Sequence, residues 1–336
     1  MVLHVLDALG ELPLEKVVAV VGHGGERIAK TLADHAPERM ITFVEQREQR
    51  GSGDAALVAL TAFSDDDDGD DGDVLLLPCD TPLLRPNTLA ALVRAHRQAD
   101  AAATILTAIL PNPAGYGRVV RGKDERVARV VEDRDATDEE REIDEINTSI
   151  YCFRRSLLAP ALRRLSPENA QGEYYLTDVV AVLYEAGYNV VSMVAADPME
   201  TAGVNDRAQL AAAEAELRDR TNDSWMLRGV TMIDPERTYV DTTVELAPDV
   251  TLFPGTMLVG RTKIGAGARV GPDTRLVDCT VGDNTVVEHS VGQRAEIGAD
   301  ARVGPFAALG PGTRIADGTM TGPFFRSDGV QGGEAT

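Results

Sequence analysis

Cysteine is scarce in this sequence, since its 336 residues contain only Cys79, Cys152 and Cys279. Three scattered cysteines argue against a disulfide framework and indicate reduced thiols. No apolar run approaches the roughly 20 residues that a membrane-spanning helix needs. Residues 1–7 lack the basic flank and the cleavage pattern of a signal peptide. We therefore expect a cytoplasmic protein.

Positive charge is scarce as well, because 33 lysines and arginines face 54 aspartates and glutamates and leave a net charge of -21. Such a chain is a poor partner for nucleic acids and anionic membranes. The sequence also shows no Ser/His/Asp or Cys/His arrangement of a nucleophilic enzyme. The dense acidic run at residues 64–73 predicts a solvated loop; a cation site is the alternative, but the run lacks the terminal Glu of an EF-hand.

Strand-like apolar runs alternate with helical periodicity over residues 1–205. This order predicts a parallel, doubly wound α/β sheet, and the chain is long enough for a second domain. The predicted strands are 17–21, 40–45, 74–77, 102–106, 126–131 and 146–152; the predicted helices are 2–9, one ending at Ala33, 51–62 and 87–97.

Asp80 ends the apolar run at residues 74–77, which predicts a strand buried on both faces of the sheet. Ligands of open α/β sheets bind at the carboxyl edge of the strands. A hard cation that bridges phosphate oxygens takes one or two carboxylates from the protein. Asp80 is therefore a candidate metal ligand, and the alternative is that it merely caps a strand in a turn.

A six-residue period dominates the carboxy-terminal part of the chain. Aliphatic residues recur at every sixth position from Leu246 to Leu276, and after short slips the register resumes at Val281, at Val291 and on to Ile315. Gly follows the aliphatic residue at 265, 271, 282, 292, 298, 304 and 310. This pattern is typical of a hexapeptide parallel β-helix, whose coils stack their aliphatic residues into one core.

These patterns divide the chain into four parts. Residues 1–205 form the α/β domain, and residues 206–228 form a linker helix on the pattern Leu210, Ala213 and Leu217. Residues 229–320 form a short β-helix. Because the period ends after Ile315, we expect residues 321–336 to be a disordered tail.

Polar clusters lie on or beside the predicted strands. Gln46 with Gly51-Ser52-Gly53 follows the second strand, Gly115-Tyr116-Gly117-Arg118 starts a strand, Glu132 ends one, Asn147-Thr148 lies inside the strand 146–152, and Asn205 precedes the linker helix. A planar amide such as Gln46 can pair with a base edge, and glycines let a backbone N–H group or a sugar come close. Taken singly, each residue also has an ordinary structural role, which for Asn205 is a helix cap.

Together these motifs resemble a known family. The resemblance rests on Gly22-His23-Gly24-Gly25, Glu45-Gln46, Gly51-Ser52-Gly53, Asp80-Thr81-Pro82-Leu83, Gly115-Tyr116-Gly117-Arg118, Val131-Glu132, Asp135-Ala136-Thr137, Glu145-Ile146-Asn147-Thr148, residues 169–178 and Gly203-Val204-Asn205-Asp206-Arg207. From Met1 to about Ile315 the sequence resembles the bacterial bifunctional N-acetylglucosamine-1-phosphate uridyltransferase / glucosamine-1-phosphate acetyltransferase (GlmU) family. The stretch 169–178, joined to a hexapeptide β-helix, is highly specific to that family.

The resemblance implies an α/β Rossmann-like nucleotidyltransferase domain followed by a short left-handed parallel β-helix. It implies that UTP and N-acetylglucosamine 1-phosphate give UDP-N-acetylglucosamine and pyrophosphate, for cell-wall peptidoglycan precursors. In the family, the residues that match Asp80 and Asn205 hold the catalytic Mg²⁺. This agrees with a transfer that depends on positioning and charge neutralisation rather than on a protein nucleophile.

The resemblance also implies binding residues and assembly. Nucleotide contacts fall on Gln46, Gly51, Ser52, Pro78, Cys79 and Asp80, and amino-sugar contacts fall on Gly117, Glu132, Asn147 and Tyr175. Family members trimerise through the β-helix, so a homotrimer is implied here too.

The sequence departs from the family pattern at both ends. The family's first strand and its Gly-rich loop, which cradles the triphosphate, have no counterpart, so we expect apolar surface and unpaired backbone in the sheet. The later coils that carry the acetyltransferase site are also missing, and we expect no acetyltransferase activity. Within the chain, Ser52 replaces the usual Thr, Cys79 and Ser149 replace Gly, and Gly310 replaces Arg.

Three functions remain open. The first is a uridylyltransferase whose Gly-rich loop is encoded upstream of Met1. The second is a non-catalytic paralogue that binds a nucleotide-sugar or assembles through its β-helix. The third is a nucleotidyltransferase for another sugar 1-phosphate, against which the family match of Glu132 and Asn147-Thr148 favours an N-acetylamino sugar.

Overall fold

The computed structural model describes residues 1–10, 12–35, 40–63 and 72–327. The chain forms two compact units, Met1–Leu210 and Ala211–Thr336, whose boundary falls within one long helix. Within the described ranges, no helix has both the length and the apolar character needed to cross a membrane. Most of the acidic run at residues 64–73 lies outside the described residues, but its last member, Asp73, opens a strand instead of ending a loop.

The first unit alternates helices and strands, with bounds that differ by a few residues from those predicted. The helices are α1 (Val2–Ala8), α2 (Gly25–His35), α3 (Ser52–Leu60), α4 (Pro86–Gln98), α5 (Asp138–Arg141), α6 (Arg155–Leu162) and α7 (Asp178–Glu185), followed by α8 (Arg207–Leu227), which continues into the second unit. The strands are β1 (Val17–Val21), β2 (Ile41–Glu45), β3 (Asp73–Leu76), β4 (Ala103–Ile109), β5 (Arg118–Arg121), β6 (Val127–Val131), β7 (Glu145–Arg154) and β8 (Val190–Val194).

These strands form two sheets, and the larger one is mixed. β1 and β2 pair in parallel as a two-stranded sheet. The six-stranded sheet has the order β6-β5-β7-β4-β8, with β3 also paired to β7. β4 and β8 run parallel, whereas β7 runs antiparallel to both β3 and β4. The prediction of one parallel sheet is therefore wrong, because alternating apolar runs identify strands without fixing their direction.

The prediction that residues 74–77 are buried on both faces of a parallel sheet is also wrong. The observed β3 is half-buried along its whole length and runs antiparallel to β7, with Leu76 opposite Tyr151. In the described part of the chain, β3 pairs only with β7, and β1 pairs only with β2. One edge of each strand thus has no pairing strand, and its apolar side chains stay partly exposed.

Helices cover both faces of the mixed sheet. Tyr151 and Phe153 of β7 pack in one core with residues of α3, α6 and α7. Ile150 and Cys152, which alternate with them, pack in another core with residues of α1 and α4. Leu92 of α4 is fully buried there, which contributes about 2 kcal/mol. This three-layer α/β arrangement is the Rossmann-like fold that the sequence predicts.

Apart from α8, the second unit is a parallel β-solenoid. Its strands are β9 (Thr231–Met232), β10 (Tyr239–Val240), β11 (Glu245–Leu246), β12 (Thr251–Leu252), β13 (Met257–Val259), β14 (Lys263–Ile264), β15 (Arg269–Val270), β16 (Arg275–Val277), β17 (Thr280–Val281), β18 (Val286–Val287), β19 (Val291–Gln293), β20 (Glu296–Ile297), β21 (Arg302–Val303), β22 (Ala308–Leu309), β23 (Arg314–Ile315) and β24 (Arg326–Ser327). They form three parallel sheets, in which Leu246 pairs with Ile264 and Ile264 pairs with Val281. The predicted hexapeptide β-helix is confirmed, and the architecture is consistent with the left-handed form.

The end of α8 packs on this solenoid. Trp225 and Met226 contact its apolar core. The buried Asn222 donates from Nδ2 to the Pro235 carbonyl at 3.0 Å and to the Thr238 carbonyl at 2.9 Å. The helix thereby covers apolar side chains of the first coil, as an end cap must.

One core position differs from the prediction. Gly292, not Val291, stands in the inward column between Leu276 and Leu309, and Val291 is 54% exposed. A Cβ on Gly292 would lie 2.9 Å from Leu276 Cδ2 and 3.3 Å from Cys279 Sγ. Neighbouring side chains therefore fill the space, and a glycine holds a place that the repeat assigns to an aliphatic residue.

The predicted disordered tail at residues 321–336 is corrected at its start. Arg326–Ser327 forms β24, which pairs in parallel with β22, and Phe325 packs against the solenoid core. The solenoid thus extends past residue 320 to residue 327, because backbone pairing continues after the aliphatic repeat has ended. Residues 328–336 lie outside the described residues.

Candidate active site

Asp80 lies in the turn that follows β3, and its side chain is half-buried. Its backbone carbonyl accepts the Val204 N–H at 3.0 Å. Gly203 is so close that a Cβ there would lie 3.8 Å from Asp80 Oδ2. Asp80 and the loop that carries Asn205, far apart in the sequence, therefore adjoin each other in the fold.

Asn205 does not cap α8. Asp206 Oδ1 accepts the Gln209 N–H at 2.8 Å, and Gln209 Oε1 accepts the Asn205 N–H at 2.6 Å. This reciprocal pair satisfies the first turn of the helix in the manner of a capping box. The alternative of a plain Asn cap is therefore wrong, and the Asn205 side chain, which is exposed, is not needed for the helix.

The loop at Gly51-Ser52-Gly53 packs against the segment 174–176. Gly51 has φ 106° and ψ 176°, a conformation that belongs almost only to glycine, and a Cβ on it would lie 2.6 Å from the Tyr174 carbonyl oxygen. The Gly53 N–H donates to that same oxygen at 2.8 Å, and Ser52 Oγ accepts the Leu176 N–H at 3.1 Å. The sequence suggested that backbone N–H groups at these glycines approach a ligand. The Gly53 N–H instead donates to the protein backbone.

Gln46 lies beside this loop at the end of β2. Its Nε2 donates to Asp54 Oδ2 at 2.8 Å and to the Gly51 carbonyl at 3.1 Å, which fixes the plane of the amide. A cleft of about 350 Å³ opens here, lined by Val20, Val21, Gly22, Gln46, Gln49, Gly51, Ser52, Ala55 and Glu173. Small-molecule sites begin at about 300 Å³, so the cleft has room for a base and its ribose.

Pro78 and Cys79 do not line this cleft. They lie between β3 and Asp80, where Cys79 is an exposed free thiol and the Pro78 carbonyl accepts Thr81 Oγ1 at 3.4 Å. Their expected contact with nucleotide stays a prediction.

A second cluster joins Gly117, Glu132 and Asn147. The Asn147 N–H donates to the Gly117 carbonyl at 2.8 Å, and a Cβ on Gly117 would lie 3.5 Å from Glu132 Oε2. Asn147 is buried, and its Oδ1 accepts the Ser149 N–H at 3.2 Å. Ser149 has φ 61° at the bulge where the β4–β7 register shifts, a conformation that glycine adopts without strain. Asn147 therefore joins the cluster through its backbone N–H, directly before the bulge.

Thr177 belongs to the cluster, although sequence reasoning assigned it no role. It is buried, and its Oγ1 donates to Glu132 Oε1 at 3.1 Å. Thr177 precedes α7, and a Thr in that position is usually interpreted as a helix cap. Its hydroxyl does not cap the helix and instead contacts Glu132. Tyr175 is also buried, and its hydroxyl donates to Gln171 Oε1 at 2.9 Å.

Burial and nearby acidic side chains disfavour the negative charge of Glu132. Burial raises the pKa of Glu132, and the nearby Asp178, Asp135 and Asp133 raise it further, while the Thr177 hydrogen bond lowers it. Burial, with Asp135, also raises the pKa of Asp178. Hydroxyl or amide groups of a ligand that donate hydrogen bonds to this carboxylate would stabilise its charged form.

Comparisons with known proteins identify the family. A family model described as MobA-like NTP transferase domain matches residues 1–178. "Bifunctional protein GlmU" of Desulfitobacterium hafniense (strain DSM 10664 / DCB-2) is 44% identical over 336 residues, which is 100% of this chain and 72% of that protein. The protein of that name from Carboxydothermus hydrogenoformans is 44% identical over 324 residues, 96% of this chain and 70% of its own length. This chain belongs to the GlmU family.

A third GlmU relative, from Thermobifida fusca, is 44% identical over 295 residues, 88% of this chain and 60% of that protein. The domain match and the GlmU relatives make the first unit a nucleotidyltransferase.

The residues at Asp80 suit the hard cation that the GlmU family implies. Asp80 has a half-buried carboxylate, and Asn205, an exposed residue with an amide oxygen, lies on the adjoining loop. Both are oxygen ligands of the type that Mg²⁺ prefers, and Mg²⁺ requires only one or two from the protein when phosphates complete its shell. The donor set therefore fits Mg²⁺.

Proposed function

We propose that this GlmU-family chain transfers a uridylyl group from UTP to N-acetylglucosamine 1-phosphate, giving UDP-N-acetylglucosamine and pyrophosphate. The cluster of Gly117, Glu132 and Asn147 carries the proposal. A carboxylate poor in donors and a buried amide, set beside a glycine, match the hydroxyl and N-acetyl groups of an amino sugar.

The proposed roles combine the family resemblance with the positions of these residues. A phosphate oxygen of the sugar phosphate attacks the α-phosphorus of UTP in line, and the bond to the pyrophosphate leaving group breaks. Gln46 and Ser52 hold the uracil in the cleft, while Glu132 and Asn147 orient the sugar, so that the two substrates meet in the reactive arrangement. Mg²⁺, held by Asp80 and Asn205, would neutralise charge on the phosphate oxygens.

The family resemblance alone supports three further parts of this proposal. They are a cytoplasmic location, a place in the synthesis of peptidoglycan precursors, and a homotrimer assembled through the β-solenoid. We also propose the division of labour in which residues 1–205 carry the transfer and the solenoid carries assembly.

The experiment measures pyrophosphate release by the 336-residue chain with UTP, N-acetylglucosamine 1-phosphate and Mg²⁺. A second sample carries a family-like Gly-rich segment before Met1, which would offer a strand to the unpaired edges of β1 and β3. Activity in either sample, lost in Asp80→Ala, supports the proposal. Silence in both contradicts it and favours a nucleotide-sugar binding protein; equal turnover of glucose 1-phosphate favours another sugar.

A further inference from the structure

A second group of ligand-type side chains lies away from the candidate active site. Asp73 opens β3, His96 lies on α4 and Cys152 lies on β7. Their donor atoms, a carboxylate oxygen, a ring nitrogen and a thiol sulfur, all lie within 4.8 Å of one another. Asp73 is at the amino end of β3, whereas Asp80 follows its carboxyl end, so the two groups lie at opposite ends of the strand.

The group is enclosed and oriented. His96 is 2% exposed, Cys152 is 0% exposed, and the Asp73 side chain is 18% exposed. His96 Nδ1 lies 2.8 Å from the hydroxyl of the buried Thr104, which leaves Nε2 facing Asp73 Oδ1 at 3.4 Å. Arg97 Nε donates to the other carboxylate oxygen at 2.6 Å. A hydrogen bond on the far ring nitrogen and one on the far carboxylate oxygen are what metal ligands commonly have.

A network without metal explains these contacts less completely. In it the Thr104 hydroxyl donates to His96 Nδ1, and the Nε2–H donates to Asp73 across a distance longer than the usual 2.7–3.2 Å or so. The Cys152 thiol has no hydrogen-bond partner in that network. Burial keeps His96 neutral by lowering its pKa and raises the pKa of Cys152 to about 12. A bound metal ion removes the thiol proton despite this burial.

We propose that Asp73, His96 and Cys152 bind one zinc ion, with a water molecule as the fourth ligand. On binding, the Cys152 thiol gives its proton to solvent, and the thiolate, the neutral imidazole and the carboxylate each donate an electron pair to the ion. A sulfur, nitrogen and oxygen set is typical of Zn²⁺, and thiolate is not a ligand for Mg²⁺. Tetrahedral zinc places its ligand atoms about 3.3–3.8 Å apart, so side-chain rotation must draw the group in by about 1 Å.

The ion would tie three elements together. β3, β7 and α4 each supply one ligand, and β3 leads directly to Asp80. Because zinc binds only the folded arrangement of these three ligands, it raises the melting temperature by an amount that grows with the logarithm of its concentration relative to its Kd. The predicted effect is therefore on stability as well as on metal content.

The test uses Co²⁺ and Zn²⁺ with the full 336-residue chain stripped of metal by a chelator. Cys79→Ser serves as the background, because the exposed Cys79 thiol can bind metal by itself. We expect one Co²⁺ per chain, a thiolate-to-cobalt charge-transfer band with the visible bands of tetrahedral cobalt, and their loss when Zn²⁺ is added. Removing Cys152 (Cys152→Ala) or Asp73 (Asp73→Asn) should weaken binding by about 100-fold or more.

The matched control is Cys279→Ala, which removes the other buried thiol, in the solenoid, and should leave binding unchanged. Circular dichroism of each metal-free variant shows whether it is folded, and Asp73→Asn keeps the test valid if Cys152→Ala does not fold. Absence of the charge-transfer band, or a band that survives in Cys152→Ala, overturns the proposal and leaves a hydrogen-bonded group only. Zinc that fails to raise the melting temperature also overturns it.

Discussion

Gly51→Ala tests whether the cleft beside Gln46 depends on the close contact between the glycine loop and residue 174. Alanine at φ 106° and ψ 176° adopts a conformation that costs about 1–3 kcal/mol. Its Cβ would also lie 2.6 Å from the Tyr174 carbonyl oxygen and 2.9 Å from Glu173 Cβ, and relieving that overlap costs about 1–3 kcal/mol more. The expected loss is therefore about 2–6 kcal/mol of the free energy of unfolding.

The matched control is Gly187→Ala, which follows α7. Gly187 has φ 84°, but no atom lies within 4 Å of the position of its Cβ, so only the backbone cost of about 1 kcal/mol remains. Differential scanning calorimetry measures both variants. For a unit of this size we expect the melting temperature to fall by about 4–24 °C in Gly51→Ala and by about 2–4 °C in Gly187→Ala.

An equal shift in the two variants would refute the reasoning, because it would mean that the contact with Tyr174 imposes no constraint. A large loss of stability in Gly51→Ala with unchanged UTP affinity would show that the loop supports the fold and not the cleft.

Three further predictions address the cluster and the solenoid. Burial raises the pKa of Glu132. The stability linked to its protonation is therefore complete below the unfolded pKa and is lost as the pH rises through the folded pKa. In thermal melts, Glu132→Gln should melt higher than wild type near neutral pH and at the same temperature below about pH 4. Thr177→Val removes the hydroxyl that donates to Glu132, and in steady-state assays it should raise the KM for the sugar phosphate about tenfold with little change for UTP; an equal change for both substrates would argue against this position for the sugar. Gly292→Val overfills the solenoid core near Leu276 and should lower the free energy of unfolding by about 1–3 kcal/mol in chemical denaturation. Val291 is exposed, so Val291→Thr should change that free energy by less than about 0.5 kcal/mol. A larger loss in Val291→Thr than in Gly292→Val would support the register predicted from the sequence.

The solenoid could be predicted because every coil repeats the same inward aliphatic position, so one error does not spoil the pattern. The error occurs at Gly292, where Leu276 and Cys279 fill the core and the repeat therefore points to the neighbouring Val291. The end of the solenoid was missed for a similar reason, since Arg326–Ser327 pairs with β22 through its backbone and brings no aliphatic residue to the repeat.

The sheet was harder to predict, because the direction of a strand is not written in its hydrophobicity. β7 contributes to both cores and runs antiparallel to β3 and β4. Its sequence nevertheless resembles that of any buried strand. In the site, Asp80 and Glu132 could be singled out as polar residues at strand ends, and Asn147 as a polar residue inside an apolar strand. Thr177 could not, because its hydroxyl contacts a residue far away in the sequence.

The central claim is that the cluster of Gly117, Glu132 and Asn147 recognises an N-acetylamino sugar joined to uridine diphosphate. Isothermal titration of the 336-residue chain with UDP-N-acetylglucosamine, and separately with UDP-glucose, tests it most directly. The account predicts at least about tenfold tighter binding of UDP-N-acetylglucosamine, with the preference lost in Glu132→Ala. Equal affinity for the two ligands, or a preference that survives in Glu132→Ala, would contradict it.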